Sequence, residues 1–170
     1  MKHFAIPLAL AAAMTLAAPA RAAPVAADPP AEAEALILIP LTLSKLDDLH
    51  FGTIIPSAVS GTVTVPANGA APSVAGGLTL VASDPAVRAR FAGAGSPNQN
   101  VVISATNPGT LGDGFGNTVT VLALTMDSGP VITIDPTRAF FFHVGGILQV
   151  GANQPEGLYS AEFDVTANYL

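Results

Sequence analysis

Apolar and polar residues alternate strictly from residue 159 to residue 169, within the last thirteen residues of the sequence. Tyr159, Ala161, Phe163, Val165, Ala167 and Tyr169 share one parity, and Ser160, Glu162, Asp164, Thr166 and Asn168 share the other. Side chains of a β-strand point to opposite faces in turn, so the pattern predicts a strand with one greasy and one wet face. A helix would need apolar positions near a 3.6-residue period, which this stretch lacks. A denser apolar run, residues 35–43, opens the patterned region. Its first half is apolar at both parities, as in a strand covered on two sides. Pro40 removes one backbone donor, which predicts an edge position or a break there. Further short strands are predicted at residues 49–55, 62–65, 78–81, 87–92, 101–105, 119–126, 131–134, 139–144 and 147–150. Turn chemistry separates many of them: Pro56-Ser57, Pro66-Ala67-Asn68-Gly69, Asn107-Pro108-Gly109 and Asp127-Ser128-Gly129-Pro130. Many short strands at this spacing predict an all-β sandwich or barrel closed by the C-terminal strand.

The start of the chain follows a different pattern. Lys2 precedes an apolar stretch over residues 4–18 interrupted only by Pro7 and Thr15, and Ala20-Arg21-Ala22 then offers small residues where a signal peptidase reads. A signal peptide over residues 1–22 is therefore expected, because the apolar stretch falls short of the roughly 20 residues a bilayer requires. Residues 23–34 hold three prolines, two glutamates and mostly alanine, the composition of a flexible leader. Residues 35–170 remain for a single β-sandwich domain. The expected location is the periplasm, the cell surface or the outside of the cell.

Composition narrows the partners. Twelve acidic residues face six Lys and Arg, for a net charge of −6, and removal of residues 1–22 would take away Lys2 and Arg21. Such a surface repels nucleic acid and gains nothing from an anionic membrane, so neither is an expected partner. Charged residues make up 11% of the chain, against about 25% in typical soluble domains. The exterior must therefore be built largely from Thr, Ser, Asn, Ala and Gly, which suits a packed assembly or an extracellular surface. With no cysteine, thiol catalysis, thiolate metal sites and disulfides are excluded.

Several short motifs carry a family likeness. Asp48-Leu49-His50-Phe51-Gly52-Thr53-Ile54 resembles an opening motif in which Leu, Phe and Gly are the fixed parts. Ser60-Gly61-Thr62-Val63-Thr64-Val65 resembles the next strand, and Arg90-Phe91-Ala92-Gly93-Ala94 the phenylalanine strand that follows. Val144-Gly145-Gly146-Ile147-Leu148-Gln149-Val150, Gln154-Pro155-Glu156-Gly157 and the stretch from Tyr159 to Tyr169 resemble its close. In order and spacing, the set is similar to the secreted bacterial domain of unknown function 4402, over about residues 36–170. That family resembles pilin-like and spore-coat-U-like adhesin sandwiches. The resemblance implies an Ig-like antiparallel β-sandwich in which Leu49, Phe51, Gly52, Phe91, Gly157, Tyr159, Phe163, Val165 and Tyr169 serve structure or assembly. In chaperone–usher pilins a neighbouring subunit's N-terminal strand completes the sheet. Here Ile37, Ile39, Leu41 and Leu43 alternate, and they form either such a donor strand or the domain's own first strand. The cysteine pair of many pilins is missing.

Candidate chemistry is sparse. Asp48 and His50 share a parity and would face the same metal or proton, but Asp47 has the opposite parity and no third ligand lies near, so the group reads as a solvated strand face. Alternation sets Phe140 and Phe142 against Phe141 and His143. Three consecutive phenylalanines cannot all face one core, which leaves either an exposed patch or burial on two sides. His143 reads as a partly buried histidine at a sheet margin, since a general base needs a nucleophile or carboxylate beside it. Gly112-Asp113-Gly114-Phe115-Gly116-Asn117 has too few ligands for a calcium loop and reads as a turn. Glu162 and Asp164 form a solvated row that Arg88 and Arg90 could meet across a sheet. No nucleophile elbow, phosphate loop, zincin motif or dinucleotide fingerprint occurs.

No catalytic residue, metal site or cofactor is expected. The expected function is that of an exported structural protein, a subunit or accessory of a cell-surface fimbria or extracellular coat. Its partners would be its own copies or other surface subunits, with a periplasmic chaperone and usher. The alternative is a free periplasmic or secreted binding module for a glycan or small ligand. The absence of Trp, and the core parity of both Tyr residues, count against a glycan.

Overall fold

The computed structural model describes residues 21–170. The expected signal peptide lies outside them except for Arg21 and Ala22. Chain contacts divide at Leu36 and Ile37. Residues 21–36 hold no helix or strand and are exposed throughout. From Ile37 onward the chain is all β, with strands β1 (Thr42–Asp47), β2 (Ile54–Ile55), β3 (Gly61–Val65), β4 (Ser73–Ala75), β5 (Thr79–Leu80) and β6 (Ala89–Ala94). They are followed by β7 (Asn100–Ala105), β8 (Thr110–Gly112), β9 (Thr118–Met126), β10 (Val131–Thr133), β11 (Ala139–Val150) and β12 (Val165–Tyr169).

All strand pairs are antiparallel. A seven-stranded sheet runs β1-β6-β11-β3-β4, with β9 on β11 and β8 on β9; a three-stranded sheet runs β10-β7-β12, and β2 pairs β5. The twelve residues of β11 organise the larger sheet. Residues 139–144 pair β6, residues 146–150 pair β3, and residues 144–149 also pair β9. The change of partner falls at Gly145-Gly146. A Cβ on Gly145 would lie 2.1 Å from the Val65 carbonyl oxygen and 2.5 Å from the Ala67 nitrogen, so backbone occupies the space a side chain would take. Gly52 serves a similar purpose just before β2. Its φ of 77° disfavours any side chain, and a Cβ would stand 2.9 Å from Asp84 and Ala86 backbone atoms.

Alternation along β11 buries Phe140, Phe142, Val144, Leu148 and Val150 and sorts the interior into two clusters. One cluster lies under β6 and the first half of β11. Its ring of Phe91 stacks on Phe142 with centroids 5.2 Å apart, and Phe163 meets Phe91 edge-on at 6.5 Å. Val101 and Ile103 of β7 and Val165, Ala167 and Tyr169 of the C-terminal segment cover it from the three-stranded sheet. The other cluster gathers Phe51, Val63, Val65, Leu78, Val119, Val121, Leu148 and Val150. Leu49 and Leu124 pack against both.

The structure corrects four expectations, one being that the strand predicted over residues 49–55 is a strand only at Ile54–Ile55. The first strand begins at Thr42, and residues 35–41 are not in a sheet. Pro40 lacks a donor, and the apolar residues before it have no opposing strand within the described chain. The long C-terminal alternation is a strand only at Val165–Tyr169; Tyr159 and Phe163 precede it in irregular backbone. Residues 139–144 and 147–150 form one strand, because Gly145-Gly146 permits close packing instead of a turn. The short strands β4 and β8 sit among Gly, Pro and small residues that carry no alternation signal. Phe141 is 60% exposed while its two Phe neighbours are buried, which decides between the two readings of that triplet. No helix among the described residues is long and apolar enough to cross a membrane.

Chemical denaturation should rank two substitutions. Phe91→Ala removes the ring at the centre of the aromatic stack and should cost about 3–5 kcal/mol. Gly145→Ala forces a Cβ into fixed backbone and should cost about 3 kcal/mol or more, although it deletes nothing. A Gly145→Ala protein as stable as the parent would show that β3 and β11 do not approach as described.

Candidate binding site

The irregular segment between β11 and β12 lines a concave part of the described chain. Gln154 donates through Nε2 to the Thr118 carbonyl at 3.2 Å and to the Tyr159 hydroxyl at 2.9 Å, and that hydroxyl donates to the Pro155 carbonyl at 2.8 Å. Ser160 then exchanges two backbone hydrogen bonds with Gly112 at 2.9 and 3.1 Å. The chain next crosses to β7, where the Thr106 N–H donates to the Asp164 carbonyl at 2.9 Å and β12 begins. Between these two moorings the segment passes over a cavity of about 1010 Å³. Leu49, Phe51, Val121, Leu124, Leu148 and Phe163 are among its apolar lining, which draws on both core clusters. Polar residues line its mouth: exposed Lys45, Asp48, His50, Glu156, Glu162 and Asp164, with half-buried Asp84.

Eight of the nine residues assigned to structure or assembly from the sequence line this cavity: Leu49, Phe51, Gly52, Phe91, Gly157, Tyr159, Phe163 and Val165. Tyr169 stands at the other end of β12. Its hydroxyl donates to the Ile39 carbonyl at 2.8 Å and accepts the Ser96 N–H at 2.7 Å, while Ser96 Oγ accepts the Ile39 N–H at 2.9 Å. Both tyrosines are thus half-buried, with their hydroxyls engaged by the protein. Leu41 and Leu43 pack against the aromatic cluster. Before them Leu36 is 76% exposed, Ile37 90% and Ile39 41%.

The acidic–histidine group near residue 48 does not converge. Asp47 pairs Arg90 at 2.9 Å, Asp48 pairs Lys45 at 2.5 Å, and His50 Nδ1 lies 3.9 Å from Asp84, which also accepts the Thr53 hydroxyl at 2.6 Å. Among the described residues no cluster of three or more His, Asp or Glu side chains is arranged to hold a metal ion. Arg88 donates to the Ala67 carbonyl, and neither it nor Arg90 meets Glu162 or Asp164. Those two arginines lie on β6 and its approach, whose neighbours are β1 and β11.

One pair was not foreseen. Asp127 Oδ2 lies 2.6 Å from His143 Nδ1, and Asp127 Oδ1 accepts the His143 N–H at 2.8 Å. The two are sixteen residues apart in sequence, and only the pairing of Val144 with Met126 sets them side by side. Burial pushes the Asp127 carboxyl up. The His143 backbone and ring hydrogen bonds, with the charges of His143 and Arg88, outweigh it and hold the carboxyl below its ordinary value of 3.8. Asp113 closes the glycine-rich turn by accepting from Phe115 N at 2.8 Å, Asn117 N at 3.0 Å and Asn117 Nδ2 at 2.6 Å, and presents Phe115 at 93% exposure. The Asn117 side-chain hydrogen bond is the main reason its carboxyl is also lowered. Asp135 does the same for the turn before β11, chiefly through the Thr137 hydroxyl at 2.6 Å.

A family model described as "Domain of unknown function (DUF4402)" matches residues 41–169. No curated protein and no solved structure matches the chain.

The three aspartates predict an acid response. Each carboxyl is lowered from 3.8 on folding, so each contributes stability that is present above that value and lost as pH falls through the folded-state value. Thermal melts should therefore hold steady through neutral pH and fall once pH drops below about 3.8. Asp127→Asn should lower stability near neutrality and flatten part of that acid fall. An acid profile identical to the parent's would remove Asp127 from the account.

Proposed function

The chain belongs to the DUF4402 family, and we propose that it is an exported, non-catalytic structural protein: a subunit or accessory of a cell-surface fimbria or extracellular coat. In this reading the domain is an Ig-like β-sandwich, with the three-stranded sheet facing part of the larger one. The observation that carries it is the apolar run Leu36-Ile37-Leu38-Ile39. Leu36 and Ile37 are 76% and 90% exposed, and no strand of the described chain pairs with the run. An extended apolar segment without a strand partner is what a sheet edge of a neighbouring subunit would take up by strand addition. Open edges exist for it, since β12 pairs only β7 and β1 pairs only β6. Such a contact is head-to-tail and builds a filament when it does not close on itself. The signal-like start and low charge content of the sequence support export into an assembly. The partners in this reading are copies of the same chain or other surface subunits, delivered by a periplasmic chaperone and usher.

The apolar cavity favours a second reading beside this one, a free binding module that holds a small ligand. A glycan fits it poorly, because both tyrosines have engaged hydroxyls and half-buried rings.

The mature chain from residue 23 should form ladders on an unheated denaturing gel that collapse on boiling. Leu36→Ser/Ile37→Ser changes only exposed side chains, so it should leave the thermal melt within about 0.5 kcal/mol of the parent and abolish the ladders. A parent chain that stays monomeric at high concentration would sink the assembly reading.

A further inference from the structure

We propose that the cavity under the segment from Gln154 to Asp164 binds a small amphiphile with an apolar body and a cationic head. The proposal rests on the reading of the domain as a holder of a small ligand, and it names the class of that ligand.

The body follows from the walls. Protein interiors are close-packed and hold few voids larger than a water molecule, whereas this space is about 1010 Å³. Water fills a cavity where two to four polar partners await each molecule. Here Leu49, Phe51, Val121, Leu124 and Leu148 supply apolar surface on strands and turns whose backbone is largely engaged. The volume lies at the upper end of the roughly 300–1,000 Å³ of small-molecule sites. The cover suits an entering ligand, since residues 161–163 form no backbone hydrogen bond or strand pair among the described residues, and the flanking moorings are two hydrogen bonds at Ser160 and one at Asp164.

The head follows from the mouth. Glu156, Glu162 and Asp164 line it, and none has an ion-pair partner among the described residues. Asp48 and Asp84 add two more carboxylates. Against them stand Lys45, held to Asp48 at 2.5 Å, and His50, 3.9 Å from Asp84. An anionic head would enter a field of its own sign, and a cationic one is drawn in. The same field argues against the Leu36–Ile39 run of a second copy as the occupant, because Asp28, Glu32 and Glu34 lead into that run.

The test uses the mature chain, the neutral fluorescent probe N-phenyl-1-naphthylamine, and two competitors below their micelle concentrations, dodecyltrimethylammonium and dodecanoate. The probe should brighten on binding, and dodecyltrimethylammonium should displace it at about tenfold lower concentration than dodecanoate. Glu162→Gln/Asp164→Asn alters only exposed side chains. It should shrink that preference to about twofold or threefold, the scale of two exposed charge contacts, and leave probe binding unchanged. Leu111→Trp, at a partly buried wall position, should weaken all three. Equal or better displacement by dodecanoate would overturn the cationic head while leaving the cavity as a ligand site. No uptake of any of the three by a folded protein would overturn the site itself. Uptake confined to Leu36→Ser/Ile37→Ser would mean that a second copy fills the space, and would overturn the proposal in favour of that occupant.

Discussion

The fold depends on one strand serving three neighbours. Over its twelve residues β11 gives its first half to β6 and its second to β3, with β9 alongside the middle. That arrangement is possible only where the backbone of another strand can come close to β11 as it changes partner. Gly145 meets the requirement by having no Cβ to place against Val65 and Ala67. Alternation then does the rest: the even-numbered residues of β11 line both core clusters, and the odd-numbered Phe141 and Gln149 face outward.

The same division explains why the interior is unevenly covered. The aromatic cluster around Phe91, Phe142 and Phe163 has β7, β10 and β12 opposite it. The aliphatic cluster around Val63, Val121 and Leu148 has no full sheet opposite. It is closed by Leu49, Ile54, Leu80 and Tyr159, which come from turns, two-residue strands and the irregular segment before β12. Leu49 and Leu124 are common to both clusters, and the cavity lies where the two coverings meet. Side chains of the three-stranded sheet reach the aromatic cluster and not the other one, which leaves apolar surface of the larger sheet for something else to cover. The assembly reading and the ligand reading are two responses to that incompleteness at different places on the domain.

Much of the strand content could be read along the chain, because residues such as Val119 and Val121 alternate with polar neighbours and apolar runs such as Val101 to Ile103 lie between turn residues. Alternation nevertheless overstated the C-terminal strand. Ser160, Glu162 and Asp164 keep the pattern, but a ladder needs a partner at every position, and between Ser160 and Val165 there is none. It also overstated the first strand, where Leu36 to Ile39 have the apolar character of a buried strand and no sheet to bury them. The site residues fared similarly. Leu49, Phe51, Tyr159 and Phe163 each stand out by family likeness, whereas their meeting around one space depends on contacts between residues a hundred positions apart.

By itself the sequence determined what is local: the β class, the turns, the absence of thiol chemistry, the acidic surface, and which of two parities faces inward on each strand. These follow from periodicity, φ preferences and composition, none of which requires knowing a neighbour. Only the tertiary structure decided what is pairwise and distant. It set Asp127 beside His143, gave Asp47 and Asp48 separate partners, joined two predicted strands through Gly145-Gly146, left Leu36 and Ile37 outside any sheet, and gathered distant residues around one cavity. The physical reason is that strand register and sheet order are chosen by the whole set of competing pairings, and a single segment carries no record of which partner wins.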